Sequence, residues 1–323
     1  MNDAIELAPV LKLRMGAPVT SSDGELGKLT AVLIDSATHT LTGIQARFGG
    51  LGGLMGADVT VPAKQIREAG TDMVRLSEEL PALRAMKADV AGVSISHATT
   101  VAANGKSFGR VGHLTFTHET GALRHVIVSR GLGEDIVLPA TTLTAVSEHQ
   151  LVCAMPQRGL TPYRPDEELE ADIRERLEAI PQLFVDVPGI EVRAIDGNVW
   201  MRGNVSSEIT ERRVKTVLSE VRGIDQLIFE IVPDTQLAAY ISTALASDPR
   251  TAGQPIGVYP RLGEVALRGR VRTEAAQQAA SDVAARVPGV RSVANGLLVD
   301  SRAYGVPELA GVTNDEDIVP GGR

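Results

Sequence analysis

Alternating apolar and polar positions mark a strand that occurs twice in the second half of the chain. Apolar or small residues occupy every second position of residues 199–205, and the same pattern returns 66 residues later at residues 265–271. This period of two predicts a β-strand with one buried face. Each strand is followed by a helical run and then by a Gly-Ile or Gly-Val pair, Gly223-Ile224 and Gly289-Val290, again 66 residues apart. The constant offset indicates an internal repeat.

The residues around these strands predict one order of elements twice: helix, strand, strand, helix, strand. Helical spacing of apolar residues predicts the helices, and alternation predicts the strands. Ser206 or Ser207 is the expected N-cap of the second helix in the first copy. The first copy has these elements at residues 169–180, 190–195, 199–205, 207–221 and 226–232. The second copy has them at residues 235–246, 256–259, 265–271, 273–287 and 292–299.

The first half of the chain predicts short strands separated by tight turns, and this pattern also occurs twice. Asp23-Gly24 in the first copy and Asn104-Gly105 in the second favour the positive φ that a tight hairpin requires. The copies lie about 80 residues apart. Many short strands at regular turn spacing predict a small barrel or sandwich. We interpret residues 1–12 as a short leader, and residues 80–89 as a connection that contains a short helix.

Two polar stretches predict the boundaries of these regions. Residues 155–166 belong to a Pro-rich run and are expected to be a linker. Residues 301–323 are polar, contain Gly and Pro, and are expected to be a disordered tail. The predicted fold class is α+β and multidomain, with two small β-domains before two αββαβ domains.

The pattern of the first half resembles the PRC-barrel family. Ser22-Asp23-Gly24, Gly27-Lys28, Asp35, Gly43-Ile44 and the Val-x-Val-Pro strand at residues 59–62 carry the resemblance. It implies two PRC-like β-barrels, at residues 13–79 and 90–154, which pair with each other inside the chain. Barrels of this family are binding and assembly modules, and the resemblance implies no catalytic residues. The second copy departs at Thr117, where the first has Asp35.

The second half resembles the BON domain, a bacterial αββαβ module. The glycines at positions 197, 203 and 223, and those at 263, 269 and 289, fit the pattern of that family. The resemblance implies two domains, at residues 167–233 and 234–300. Known BON domains are mostly periplasmic or associated with the cell envelope, and some are thought to bind phospholipid or to tether proteins.

Composition limits the partners that this chain is expected to bind. The formal net charge is −8, and aromatic residues make up only 3% of the chain. Residues 161–323 carry 18 Lys+Arg against 25 Asp+Glu, a net −7, whereas residues 1–160 carry 14 against 15. Stacking on nucleic-acid bases needs aromatic faces, and an acidic chain repels polyanions. We therefore expect no nucleic-acid partner.

Cysteine content and the start of the sequence predict the compartment. Cys153 is the one cysteine, which excludes an intramolecular disulfide and a thiolate zinc cluster. It lies between Val152 and Ala154 and is interpreted as a small core residue. The start lacks a basic segment followed by an apolar run, and no stretch reaches the roughly 18 apolar residues of a membrane span. The expected location is cytoplasmic, with membrane association as a variant.

Two glycine motifs and six histidines were weighed as candidate chemistry. Residues 48–58 hold a dense run of glycines, but no Gly-Lys-Ser/Thr at the start of a helix follows them, as a phosphate loop requires. Gly105-Lys106-Ser107 resembles the end of such a loop, but position 100 has Thr where the motif needs Gly. Both motifs therefore predict turns. The histidines are interpreted as strand or surface residues, although His113 and His125 can meet across a hairpin: His39, His97, His113, His118, His125 and His149. No metal, cofactor or catalytic residue is predicted.

The most informative surface is the polar side of the repeated strand. Arg268, Arg270 and Arg272 share the side opposite the buried residues, and Trp200, Arg202 and Asn204 hold the equivalent side of the first copy. One interpretation is a face that docks a protein or anionic lipid headgroups, with Trp200 as an anchor. The other is a solvated sheet face whose arginines confer solubility. The candidate binding residues are Trp200, Arg202, Arg268, Arg270 and Arg272.

The resulting prediction is a non-enzymatic binding or scaffold protein that acts through protein–protein interfaces, in stress or envelope-related assembly. The alternative is a peripheral membrane protein that binds phospholipid through the basic sheet face. Two weaker hypotheses are an enzyme that uses the glycine-rich loop or the histidines, and an RNA-processing factor, which the acidic balance disfavours. The partner is unidentified, and a homo-oligomer remains open.

Overall fold

The computed structural model describes residues 8–47, 58–85, 90–131, 133–154 and 160–302, and the chain divides into two compact units. The first unit comprises Met1–Leu169 together with Ile195–Asn198 and Arg222–Gln226. The second comprises Glu170–Ala194, Val199–Val221 and Leu227–Arg323. The glycine run at residues 48–57 and the tail from residue 303 onward lie outside the described residues, so those two predictions stay predictions.

Strands make up most of the described part of the first unit, and a short α-helix lies between its two copies. The first copy contributes β1 Val10–Arg14, β2 Pro18–Ser21, β3 Gly24–Ile34, β4 Leu41–Arg47, β5 Asp58–Pro62, β6 Ile66–Ala69, β7 Val74–Leu76 and α1 Leu80–Ala85. The second copy contributes β8 Val93–Ser96, β9 Thr100–Ala103, β10 Lys106–Thr117, β11 Leu123–Ser129, β12 Ile136–Pro139, β13 Leu143–Val146, β14 Gln150–Cys153 and β15 Thr161–Pro162. Positive φ at Asn104 (51°) and Gly105 (75°) forms the predicted turn between β9 and β10.

The two copies exchange their first strands. β1 pairs with β10 of the second copy, with Val10 opposite Thr117, while β8 pairs with β3 of the first copy, with Val93 opposite Ile34. The predicted boundaries at residues 13 and 90 therefore divide the strands differently from the sheets. Alternation of apolar residues predicts which face of a strand is buried but does not identify the strand it pairs with.

Each sheet of the first unit combines strands from both copies. One sheet has the order β5-β4-β3-β2-β7-β6 with β8 added beside β3, and the other has the order β13-β14-β9-β10-β11-β12-β15 with β1 added beside β10. Leu13, Ile34, Leu114 and Phe116 are among the buried side chains of a single hydrophobic cluster that draws on both sheets. The exchange thus gives the two copies a common core.

Two segments differ from the sequence prediction because they add strands to this unit. The predicted leader, residues 1–12, contains the start of β1, in which Leu11 and Leu13 are buried. The predicted linker, residues 155–166, contains β15, which pairs with β12, and ends where a helix begins at Asp166. Neither strand can be recognised without the distant strand that it pairs with, β10 for β1 and β12 for β15.

The remaining elements follow the predicted αββαβ order twice. The first copy has α2 Asp166–Glu178, β16 Ile190–Ile195, β17 Asn198–Val205, α3 Glu208–Ser219 and β18 Gln226–Pro233. The second copy has α4 Asp234–Ser247, β19 Ile256–Arg261, β20 Glu264–Val271, α5 Glu274–Ala285 and β21 Ser292–Val299. Each copy has a three-stranded sheet with its second strand in the middle, β16-β17-β18 and β19-β20-β21. The element order predicted from periodicity is confirmed.

Side-chain caps and buried apolar faces explain these elements locally. Ser207 accepts a hydrogen bond from the Thr210 backbone N–H at 3.3 Å, and Thr273 accepts one from Ala276 at 3.1 Å, so each caps the helix that follows. The alternate residues of β20 enter the core of the second copy together with side chains of α4 and α5: Val265, Leu267, Val271, Leu237, Ile241, Ala280 and Val283.

Candidate functional site

The three arginines predicted as a binding face lie together on the exposed side of the second αββαβ copy. Arg268 and Arg270 project from β20, and Arg272 follows the strand directly. The guanidinium carbon of Arg268 lies 5.5 Å from the centre of the Tyr259 ring, a cation–π contact. The Nη1 atom of Arg270 donates to Asp300 Oδ2 at 3.1 Å. The strand thus holds its arginines in one row.

Neighbouring strands complete this face with small and apolar residues. Residues directly opposite each other across a sheet project on the same side. Arg268 is flanked by Gly257 and Gly296, and Arg270 by Leu298, which is 62% exposed. Tyr259, 56% exposed, stands beside Ala266. We call the surface formed by Arg268, Arg270, Arg272, Tyr259 and Leu298 the arginine face.

The equivalent face of the first copy is largely covered. Trp200 is only 6% exposed and Asn204 only 1%, whereas Arg202 is exposed. Asn204 Nδ2 donates to the Gly289 carbonyl of the second copy at 3.0 Å. Trp200, expected to anchor a partner on this face, is therefore buried, and a segment 85 residues from Asn204 in the sequence packs against Asn204, which periodicity cannot reveal.

Charged groups around Arg202 compensate one another. Arg202 Nε donates to Glu191 Oε2 at 2.8 Å, and Arg193 lies 3.5 Å from the other oxygen of Glu191. Hydrogen bonding to Arg202 lowers the pKa of Glu191. These residues line a groove of about 1000 Å³, to which Arg174, Arg291 and Glu230 also contribute. The groove therefore carries charges of both signs.

The charge of the two αββαβ copies differs sharply. Residues 165–232 contain 8 Lys+Arg and 15 Asp+Glu, a net −7. Residues 233–301 contain 7 Lys+Arg and 6 Asp+Glu, a net +1. The acidity of the second half of the chain therefore resides mainly in the first copy, and the arginine face lies on the copy without an excess of acid.

Two of the six histidines, His113 and His125, belong to a buried ionic cluster in the first unit. Lys12 Nζ donates to Asp166 Oδ2 at 2.5 Å and to Asp196 Oδ1 at 2.8 Å. His113 Nε2 lies 3.6 Å and His125 Nδ1 3.4 Å from the carboxylate of Asp196. Both histidines lie in strands, as predicted, but both are buried. We call these five residues the Lys12 cluster.

Burial and charge set the ionisation of the Lys12 cluster. Burial opposes the charge of Asp196, but the ring nitrogens of His113 and His125 and the ammonium of Lys12 hold its pKa well below the usual value. Burial also opposes the charge of Lys12, but Asp196 and Asp166 outweigh it and raise the pKa of Lys12. The cluster thus contains a charged lysine and a charged aspartate.

The Lys12 cluster has the features of a structural element rather than of a reactive site. No group of three or more His, Cys, Asp or Glu residues in the described part of the chain has the geometry of a metal site, and the Lys12 ammonium supplies the cation here. The Asp196 backbone N–H also donates to Asp166 Oδ1 at 2.8 Å, so the start of α2 holds the β16–β17 turn. Cys153 is buried as predicted, and burial raises the pKa of its thiol.

Comparison with protein families agrees with the second resemblance found in the sequence. The model of the BON domain matches residues 165–232 and 233–301. These boundaries coincide with the two αββαβ copies, which are therefore two BON domains in tandem. The first carries the covered face, and the second carries the arginine face.

Solved structures and curated proteins add little to this family match. Two structures of CdsD, a structural protein of the type III secretion system of Chlamydia trachomatis, are similar over 42% of this chain, with 16% sequence identity and a TM-score of 0.36. The chain spans 63% of the length of the first and 68% of the second, a C-terminal domain. No curated protein matches the sequence. None of the helices in the described residues is long and apolar enough to span a membrane.

Proposed function

We propose that this chain is a non-enzymatic binding and scaffold protein, and that the arginine face of its second BON domain is the binding surface. The observation that carries the proposal is the contrast between two homologous faces. In the first BON domain Trp200 and Asn204 are buried, and in the second the row of arginines is exposed beside Tyr259 and Leu298. Arg and Tyr are the residue types that contribute most at protein interfaces.

An acidic protein surface is the partner that best fits the arginine face. The guanidinium groups form charge-assisted hydrogen bonds with carboxylates, while Tyr259 and Leu298 offer apolar area between the charges. The ring of Tyr259 lies over Gly257, where a Cβ would come within 2.9 Å of it, while the small residues Ala266 and Gly296 keep the rest of the face low.

We infer that the first unit supports this scaffold role as a pair of PRC-barrel-like domains joined inside the chain. The resemblance predicted binding and assembly modules, and the exchange of β1 and β8 supports internal pairing of the two copies. The shared hydrophobic core supports it further. In this proposal the first unit needs no second chain to complete its sheets.

An anionic phospholipid membrane is the second candidate partner. Leu298 is exposed directly beside Arg270, and apolar side chains beside cations are typical of peripheral membrane binding. BON domains are associated with phospholipid or membrane binding, which supports this candidate. A cytoplasmic location with membrane association fits both candidates and stays a prediction.

Binding experiments on one set of variants separate the two candidates. The full chain and the variant Arg268→Glu/Arg270→Glu/Arg272→Glu are compared with the control Arg212→Glu/Arg213→Glu, which changes two exposed arginines of α3. Flotation with phosphatidylglycerol vesicles and with phosphatidylcholine vesicles, at low and at high salt, measures binding to anionic and to zwitterionic membranes. Salt-sensitive flotation that only the triple variant loses supports the membrane candidate.

The protein candidate is tested by affinity purification of the same three chains from the source cells, followed by binding measurements with the purified partner. We expect one acidic partner that binds the parent chain and the control but not the triple variant. Equal binding by all three chains would show that the arginine face is merely solvated.

A further inference from the structure

A groove on the second copy of the first unit is lined by basic, hydroxyl and glycine residues. It has a volume of about 500 Å³, within the range of roughly 300–1,000 Å³ that ligand sites occupy. Arg110 and Arg130 supply the permanent positive charge, and Thr100, Ser107 and Ser129 supply the hydroxyl groups. The lining contains no carboxylate. This is an unusual composition in a chain whose net charge is −8.

The two arginines of the groove have no acidic partner among the described residues. Arg110 lies in β10 directly opposite Ser129 of β11, and Arg130 follows Ser129 in the chain. Glu134 pairs with Arg222 at 3.0 Å, and Asp135 accepts the backbone N–H of Arg130 at 3.3 Å without forming an ion pair with either guanidinium group. Two guanidinium groups that share one groove without a counter-charge repel each other.

The first copy provides an internal comparison. There Lys28 of β3 lies opposite Arg47 of β4, in the same pairing as Arg110 and Ser129. Arg47 forms two hydrogen bonds with Asp58, at 2.9 and 3.0 Å, and this pairing lowers the pKa of Asp58. The first copy thus neutralises its arginine internally, whereas the second has Ser129 at the corresponding position and leaves its arginines without a carboxylate.

One position of the groove lining accepts only glycine, and one hydroxyl group of the lining is unpaired within the described part of the chain. Gly109 forms part of the lining, and a Cβ atom there would lie 2.4 Å from Val128 Cγ1, so no larger residue fits. The Ser129 hydroxyl has no hydrogen-bond partner among the described residues. A donor of this kind beside two guanidinium groups complements the oxygens of a phosphate.

We propose that this groove binds the phosphate group of a small phosphomonoester. Arg110 and Arg130 hold the phosphate oxygens through paired N–H donors, and Ser129 donates a further hydrogen bond. The site lies on the first unit and does not depend on the arginine face, so either proposal can fail without the other.

Titration of the full chain with inorganic phosphate and with glycerol 3-phosphate tests the site. Isothermal calorimetry and ³¹P NMR line broadening report binding, and circular dichroism checks the fold of each variant. We expect saturable binding that the double variant Arg110→Gln/Arg130→Gln weakens by at least about tenfold, which corresponds to about 1.4 kcal/mol. The controls Arg47→Gln and Arg268→Glu/Arg270→Glu/Arg272→Glu should bind like the parent chain.

A second variant keeps the test decisive if the double variant does not fold. Ser129→Asp places a carboxylate between the two arginines, as Asp58 does for Arg47 in the first copy, and should abolish phosphate binding in a folded chain. The proposal is overturned if the parent chain shows no saturable binding at millimolar phosphate, if folded Ser129→Asp still binds, or if Arg47→Gln weakens binding as much as the double variant does. Flotation with phosphatidic acid vesicles, compared between parent and double variant, shows whether a lipid headgroup can supply the same phosphate group.

Discussion

Replacing Lys12 by Met tests how strongly the Lys12 cluster stabilises the first unit. Met is also unbranched and of similar length, and it carries no charge into the buried site that Lys12 occupies. The carboxylates of Asp166 and Asp196 then lose the ammonium group to which each is hydrogen-bonded. In the variant, the buried carboxylate of Asp196 therefore no longer has a lysine ammonium group as its counter-charge.

The distances set the expected size of this effect. For Lys12 and Asp196, 2.8 Å apart, the Coulomb attraction at an effective dielectric constant of about 20 is ~6 kcal/mol. The cost of removing both charges from water offsets much of this, but a partner left alone still bears that cost. Loss of one member of a buried ion pair typically costs about 3–5 kcal/mol. We expect Lys12→Met to lower the free energy of unfolding by this amount.

Urea unfolding followed by circular dichroism measures the change. Arg47→Gln is the matched control, since it breaks the exposed Arg47–Asp58 pair, for which we expect about 0–1 kcal/mol. The double variant Lys12→Met/Asp196→Asn should be less destabilised than the sum of its single variants by about 0.5–3 kcal/mol, because the carboxylate most affected is gone. A Lys12→Met variant as stable as Arg47→Gln would refute the claim that the cluster is a buried, coupled unit.

Three further predictions follow from local features. The pKa of Asp196 is held well below its ordinary value. The ionised carboxylate therefore contributes its full stabilisation above the unfolded pKa of about 3.9, and this contribution is lost as pH falls through the folded pKa. In thermal melts, the melting temperature of Asp196→Asn should depend less on pH below about pH 4 than that of the parent chain. Gly203 has a φ of 132°, and a Cβ there would lie 1.9 Å from the Gly189 carbonyl oxygen. Gly203→Ala should therefore lower the free energy of unfolding by about 2–4 kcal/mol in urea titrations. Gly253 has a φ of 68° and open space around it, so the control Gly253→Ala should lower it by only about 1 kcal/mol. Ser207→Ala should cost about 1 kcal/mol in the same assay through loss of the α3 cap, and an unchanged midpoint would show that water replaces the hydroxyl.

The αββαβ modules were predictable because their signals are local. Alternation at residues 265–271 identified the buried face of β20, and Ser207 identified the start of α3. The fixed offset of 66 residues then linked the two copies. Each of these signals lies within a few turns of the element it describes, so the sequence alone carries it.

The features that were missed all depend on partners distant in the sequence. β1 appeared to be a leader because nothing within ten residues shows that β10 will pair with it. Lys12 fell at the end of the expected leader, and its partners Asp166 and Asp196 lie 154 and 184 residues away. Trp200 was placed on an exposed face because alternation cannot reveal the segment that covers it. The arginine face was found because no distant segment covers it among the described residues.

The crossing of β1 and β8 has a consequence for anyone who dissects this protein. A fragment that stops before residue 90 keeps β3 with β2 and β4 but loses β8, which also pairs with β3. It retains β1 but lacks β10, the strand with which β1 pairs. Each copy of the fragment has a β1 without its partner strand and a β3 without β8, so the β1 of one copy can lie along the β3 of the other. Cutting at the apparent repeat boundary would therefore yield a self-associating dimer in place of a monomeric half.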